Sequence, residues 1–189
     1  SFLDNIEDLM YESDKPMLST TITPKMLDKL SHRQLETVSA SQTANQLLSG
    51  LLPDVSDFMT NIAIQETVLG KDRSEVSYSP FQIDPIRYQD VQERGRTGDA
   101  GERTSFVNEF LRNQGYGEDF DILNLPLDEI REPLIGALIT RLSLGNIEEE
   151  IPKDLEGQAD YWKRNWNTII GEGTRKKFKK NIKYLNRIL

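Results

Sequence analysis

Cysteine is absent from this 189-residue chain, which excludes a disulfide framework, a thiolate zinc site and a cysteine nucleophile. Histidine occurs once, at His32, so a two-histidine zinc site cannot be built and a Ser-His-Asp triad would have to use this one residue. His32 lies in the polar stretch "KLSHRQLETVSASQTANQ", read as solvated helix and loop. Long apolar runs are missing as well, and none approaches the roughly 18 residues of a membrane span. The opening residues "SFLDNIEDLM" are acidic and hold no apolar core segment, so no secretory signal is expected there. If the protein is an enzyme, elimination favours carboxylate chemistry; no cofactor and no metal site are expected.

What is present describes a globular domain. Hydrophobic residues make up 37% and charged residues 29%, enough apolar material at this length for one core. Strand-like alternation is scarce, and apolar residues recur mostly at spacings of three and four, so the expected fold class is mainly α. No repeat or low-complexity tract divides the chain. A helix is predicted after Thr23, with Pro24 at its first position, continuing towards Leu48. Another runs from about Asp54 to Leu69, with Gly70 as its stop. A short helix is expected over 80–92, a glycine-closed one over 102–117, and one over 126–145 that starts or kinks at Pro133.

The net charge of -8 is unevenly spread. Residues 174–189, "TRKKFKKNIKYLNRIL", hold seven Lys or Arg and no acid, which leaves fifteen net negative charges on the residues before them. Phe178, Ile182, Leu185 and Leu189 form one helical stripe in that segment. Two readings stand side by side: a terminal helix docked on an acidic body, or a basic amphipathic surface for an anionic partner.

A carboxylate interrupts the apolar face of the helix over 54–69. At about 100° per residue, Val55, Phe58, Met59, Ile62, Ala63 and Leu69 share one arc, and Glu66 falls near its middle. Burial disfavours the ionised form, so the Glu66 pKa should be raised, as a general acid requires. The structural alternative is a partly buried Glu held in an ion pair by Arg73 or Arg141.

The segment "ETVLGKDRSEVSYSPFQIDP" resembles the lysozyme-like superfamily, in particular lytic transglycosylases and goose-type lysozymes. Glu66-Thr67 stands where that family shows its catalytic Glu and a following Ser, and "SPFQIDP" is similar to its GLMQ-type segment, with Gln82 at the glutamine. "PLIGALITRLSLG" looks like the helix that follows, and "YWKRNWNTIIGEGT" occupies the place of a Tyr-Asn-Ala-Gly motif and is similar to segments of phage lytic proteins. The resemblance covers about residues 54–175. Trp166-Asn167 departs from Tyr-Asn, leaving Tyr161 and Tyr78 to supply a hydroxyl near the acid, and Pro80-Phe81 replaces a Gly-Leu pair.

This resemblance implies a lysozyme-like helical domain with an active-site cleft over residues 51–189, ending in the basic helix, and a partly helical N-terminal extension over 1–50. It implies cleavage of the β-1,4 bond between N-acetylmuramic acid and N-acetylglucosamine in bacterial peptidoglycan, with Glu66 as acid. Glu75 is the candidate second catalytic carboxylate, and Asp72 and Asp84 are near it in sequence; two-carboxylate glycosidases space their pair at about 5–9.5 Å. Without such a partner, attack by the muramyl 6-hydroxyl would leave a 1,6-anhydro end. Tyr78, Ser79 and Gln82 are candidates to bind sugar acetamido and hydroxyl groups, and Asn167 and Thr168 to support Glu66 or the glycan. Trp166 is a candidate for stacking on sugar rings, and Trp162 is expected in the core. The setting implied is a phage virion whose enzyme acts in the host periplasm, similar to the virion-associated lytic enzymes of enveloped double-stranded RNA phages. The basic helix is left to meet other virion proteins or an anionic surface; no nucleic acid is expected. A murein endopeptidase and a non-catalytic binding protein on the same scaffold remain as alternatives.

Overall fold

A computed structural model of the chain describes residues 21–55, 57–72, 77–167 and 173–188. Over these residues the protein is mainly helical, with eight α-helices. Helix α1 (Pro24–Lys29) begins as its sequence requires, with the Thr23 hydroxyl accepting from the Met26 N–H and Pro24 in the first turn. It does not continue towards Leu48. The chain is extended at Leu30 and restarts at Ser31, because a capping box forms there. Ser31 Oγ accepts from the Gln34 N–H while the Gln34 side chain accepts from the Ser31 N–H, at 3.2 and 3.0 Å.

Helix α2 (His32–Leu47) then enters the core through Leu35, Val38, Ala40 and Ala44. Its buried Thr37 and Ser41 hydroxyls each donate to a carbonyl one turn back, so no unpaired donor is left at either position. From α2 onward, the segment expected as an N-terminal extension is therefore built into the same core as the rest. His32 stays at the surface and pairs with Glu36 one turn on. Helix α3 (Phe58–Thr67) is shorter than predicted, but its face is as patterned: Phe58, Met59, Ile62 and Ala63 are all buried, with Val55 and Leu69 beside them.

Helix α4 (Pro85–Arg94) starts at Asp84, whose carboxylate accepts from the Arg87 N–H at 2.7 Å. The helix expected from residue 80 begins five residues later because 78–83 form a closed turn. Helix α5 (Gly98–Leu111) widens into a π turn over Arg112–Tyr116 and stops at Gly117. A 3-10 turn (Leu127–Arg131) leads into α6 (Pro133–Gly145), which Pro133 starts and does not kink.

Helix α6 is apolar on every side and buried from Pro133 to Leu144, with α2, α3, α4 and α5 packed around it. Its one charge, Arg141, donates to the Pro53 carbonyl at 2.8 Å, and burial lowers its pKa to about 10. Helix α7 (Leu155–Trp162) is capped by Asp154 and runs into a second π turn, Lys163–Asn167. The basic helix α8 (Arg175–Ile188) rests on α3 and α7. It buries Phe178, Ile182 and Leu185, as their spacing predicts, and Leu189 lies outside the described residues. None of the described helices is long and apolar enough to cross a membrane.

Candidate active site

Glu66 occupies the last turn of α3, and the backbone beyond it turns sharply. Val68, Leu69 and Gly70 all take left-handed conformations, with φ of 52°, 59° and 85°. A β-branched residue such as Val68 adopts this region only when its surroundings impose it. Here the Gln34 side chain donates to the Val68 carbonyl at 2.9 Å, and Arg33 Nε donates to the Gly70 carbonyl at 2.9 Å. Gly70 is required by space as well as by φ, since a Cβ there would sit 2.9 Å from Thr37 Oγ1 and 3.1 Å from the Pro80 ring.

Thr67 ties this helix end to the next segment. Its hydroxyl donates to the Pro80 carbonyl at 2.6 Å and accepts from the Gly70 N–H at 2.7 Å. The segment it holds is a tight turn whose ends, Tyr78 and Ile83, exchange two backbone hydrogen bonds of 2.8 and 2.7 Å. Within it Ser79 and Gln82 are also left-handed, at φ 72° and 55°. Ser79 is buried; its Oγ accepts from the Phe81 N–H, and its Cβ lies against Gly136 of α6, where an added methyl would come within 2.4 Å. Phe81 is the turn's anchor in the core. Tyr78 and Gln82 remain partly exposed, with the Arg131 guanidinium 4.4 Å from the centre of the Tyr78 ring.

Further neighbours of Glu66 and of the 78–83 turn come from α7 and its π turn. Trp162, expected as a core residue, is fully buried and also reaches the candidate acid: its Nε1–H donates to Glu66 Oε1 at 2.9 Å. The indole's other side stacks on Phe178 of α8, with ring centroids 5.0 Å apart. Trp166 is buried and donates to the Phe81 carbonyl at 3.1 Å, while the Arg87 guanidinium covers its ring at 3.8 Å. The structure thus places Trp166 as a joint between the π turn and the 78–83 turn, with no ring face open to a sugar. Tyr161 is fully buried too, edge-on to Phe58, so its ring is closed to substrate. Its hydroxyl has no hydrogen-bond partner among the described residues, and burial pushes its pKa up to about 12.

Asn167 is partly exposed and accepts from Lys163 Nζ at 2.8 Å. Glu75, Thr168 and Arg73 lie outside the described residues.

Arg87 is the site residue that sequence patterning did not single out. Its guanidinium donates to the Trp166 carbonyl at 3.0 Å, the Asn165 carbonyl at 3.3 Å and Ser143 Oγ at 3.4 Å, fastening α4, α6 and the π turn together. Its charge also reaches Glu66 without forming an ion pair with it. Arg141, one of the two cations considered as a structural partner for Glu66, bonds instead to Pro53.

Burial is the largest influence on the Glu66 carboxyl and raises its pKa from 4.5 to about 7, against the opposing pull of the Trp162 N–H and the Arg87 charge. An indole N–H only donates, so the oxygen facing it, Oε1, must accept. In the neutral acid the proton is therefore directed to Oε2. The arrangement can deliver that proton at neutral pH and then hold the resulting carboxylate with one N–H and one nearby cation. No family model, curated protein or solved structure matches this chain.

Proposed function

We propose that this protein cleaves the glycan strand of bacterial peptidoglycan at the β-1,4 bond between N-acetylmuramic acid and N-acetylglucosamine, with Glu66 as general acid and then base. The observation that carries the reading is Glu66 itself: a largely buried carboxyl at a helix end, with a pKa of about 7 and, among the described residues, a single hydrogen-bond partner that can only donate. Its neighbourhood supports the same chemistry. Three consecutive left-handed residues follow it, and two more lie in the adjoining turn, so strained backbone gathers at this carboxyl.

Protonation of the leaving oxygen by Glu66 opens the glycosidic bond. The carboxylate that forms takes a proton from the attacking group, either water or the muramyl 6-hydroxyl. In this reading Tyr78 and Gln82, partly exposed on the turn beside it, would meet the sugar. The lysozyme-like cleft, the phage virion and the host periplasm as its setting belong to the same proposal and rest on the sequence resemblance.

Analysis of the muropeptides released from purified cell walls tests it. Reducing muramyl ends would assign a hydrolase, and 1,6-anhydro ends a transglycosylase. Cleaved crosslinks with intact glycan would replace the proposal with an endopeptidase. Unchanged wall lysis by Glu66→Gln would remove Glu66 from the chemistry altogether.

A further inference from the structure

The basic helix α8 divides its charges between two faces. Phe178, Ile182 and Leu185 point into the core, and the two cations flanking that stripe are spent on neighbours. Arg175 pairs with Asp160 at 3.0 Å and Lys179 with Glu156 at 2.9 Å, both acids lying on α7. At about 100° per residue, Lys176, Lys180, Lys183 and Arg187 fall within an arc of about 60° on the outward side. Lys177 and the exposed Tyr184 flank that arc. All five cations are exposed, and no side-chain ion pair or hydrogen bond engages them among the described residues.

We propose that this outward stripe is a peripheral docking surface for an anionic lipid bilayer. Insertion is ruled out by the fold, because the apolar face a bilayer would need is already packed on α3 and α7. What remains is electrostatic. The stripe runs about 17 Å along the outward face of one helix, a linear array suited to a sheet of headgroups. Its charges are mostly lysine ammoniums, hydrated point charges that match a diffuse anionic surface better than they grip single phosphates, as arginine forks do. Among the described residues no aromatic groove accompanies them, which disfavours a nucleic-acid strand. Tyr184, at the edge of the stripe, is a residue type favoured at the bilayer interface. The remaining chain carries fifteen net negative charges before residue 174, so an anionic surface repels the body while it attracts the stripe. The molecule would therefore dock in one orientation, α8 down. Docking does not depend on which bond the protein cleaves.

Co-sedimentation of the full chain with phosphatidylcholine vesicles, with and without phosphatidylglycerol, reads this directly. At low ionic strength the protein should bind the phosphatidylglycerol vesicles alone and be released by added salt. Each basic residue near such a surface multiplies binding by about fivefold, so Lys176→Glu/Lys180→Glu/Lys183→Glu, which removes three charges and adds three of opposite sign, should weaken it well beyond the roughly 100-fold expected from removing three charges alone. The same positions changed to Gln should give a smaller loss, with the melting temperature unchanged in both variants because the side chains are exposed. Binding that survives the triple charge reversal would overturn the proposal. So would equal binding to pure phosphatidylcholine, absence of binding at low salt, or tighter binding to duplex DNA than to the anionic vesicles.

Discussion

Glu66 holds its proton up to about pH 7, and the same burial that makes it useful makes it costly to the fold. With a folded pKa of about 7 against an ordinary 4.5, the native state holds a proton that the unfolded chain has released over this window. Stability associated with Glu66 is therefore complete below about 4.5 and is lost as pH rises through about 7. Glu66→Gln should reduce wall lysis by a factor of about 10²–10⁴. At pH 8 the same variant should unfold with a free energy higher by about 1–3 kcal/mol, since it no longer carries a buried ionised carboxylate. Denaturant melts at pH 4 and pH 8 check this, because the gain should vanish at the lower pH. In the active protein, the rate should fall as pH rises through about 7 with the loss of the acid. Trp162→Phe removes an N–H that favours the ionised form, so it should move that fall to higher pH; an unmoved profile would mean that the indole does not bear on the acid. Glu66 was legible from periodicity alone, since a carboxylate within an apolar arc carries its own signal. Trp162 and Arg87 were not, because a partner 96 residues away or an arginine in a polar helix turn leaves no local pattern.

At the scale of elements, two tight turns meet through few contacts, and those contacts have measurable weights. Thr67 joins the end of α3 to the 78–83 turn by one hydrogen bond and holds the Gly70 N–H by another, so Thr67→Val, similar in shape without the hydroxyl, should cost about 1–3 kcal/mol. Activity should drop with it, because the turn that carries Tyr78 and Gln82 loses its tie to Glu66. Gly136→Ala would place a methyl 2.4 Å from the Ser79 Cβ and push the same turn from the other side. A loss of about 1–3 kcal/mol in thermal or denaturant unfolding is expected. The helices themselves could be read in advance wherever a cap or stripe announced them, as at Thr23-Pro24, Pro133 and Phe178-Ile182-Leu185. The break at Leu30 was missed although Ser31 and Gln34 have capping-box spacing, since the surrounding polar pattern runs through it without interruption. The turn at 78–83 was taken partly for helix, because its left-handed residues are Ser and Gln, with no glycine to mark them.

Seen as a whole, the molecule wraps its helices around α6, and its last helix closes the wall that holds the candidate acid. Phe178 covers the Trp162 indole, so Phe178→Ala should cost about 3–5 kcal/mol and loosen the Glu66 contact together with the fold. Thermal unfolding measured beside wall lysis tests that link, and a fully active, equally stable variant would contradict it. The core arrangement needs long-range contacts that periodicity alone does not specify, which is why the class was readable from sequence and the packing of α2 into the centre was not. One consequence is optical. The chain has only two tryptophans, and both sit at this junction, one bonded to Glu66 and the other beneath Arg87. Intrinsic emission therefore reports on a single place in the protein. With Trp166 changed to Phe, the remaining indole should titrate with a midpoint of about 7, following the proton on Glu66 without any added dye.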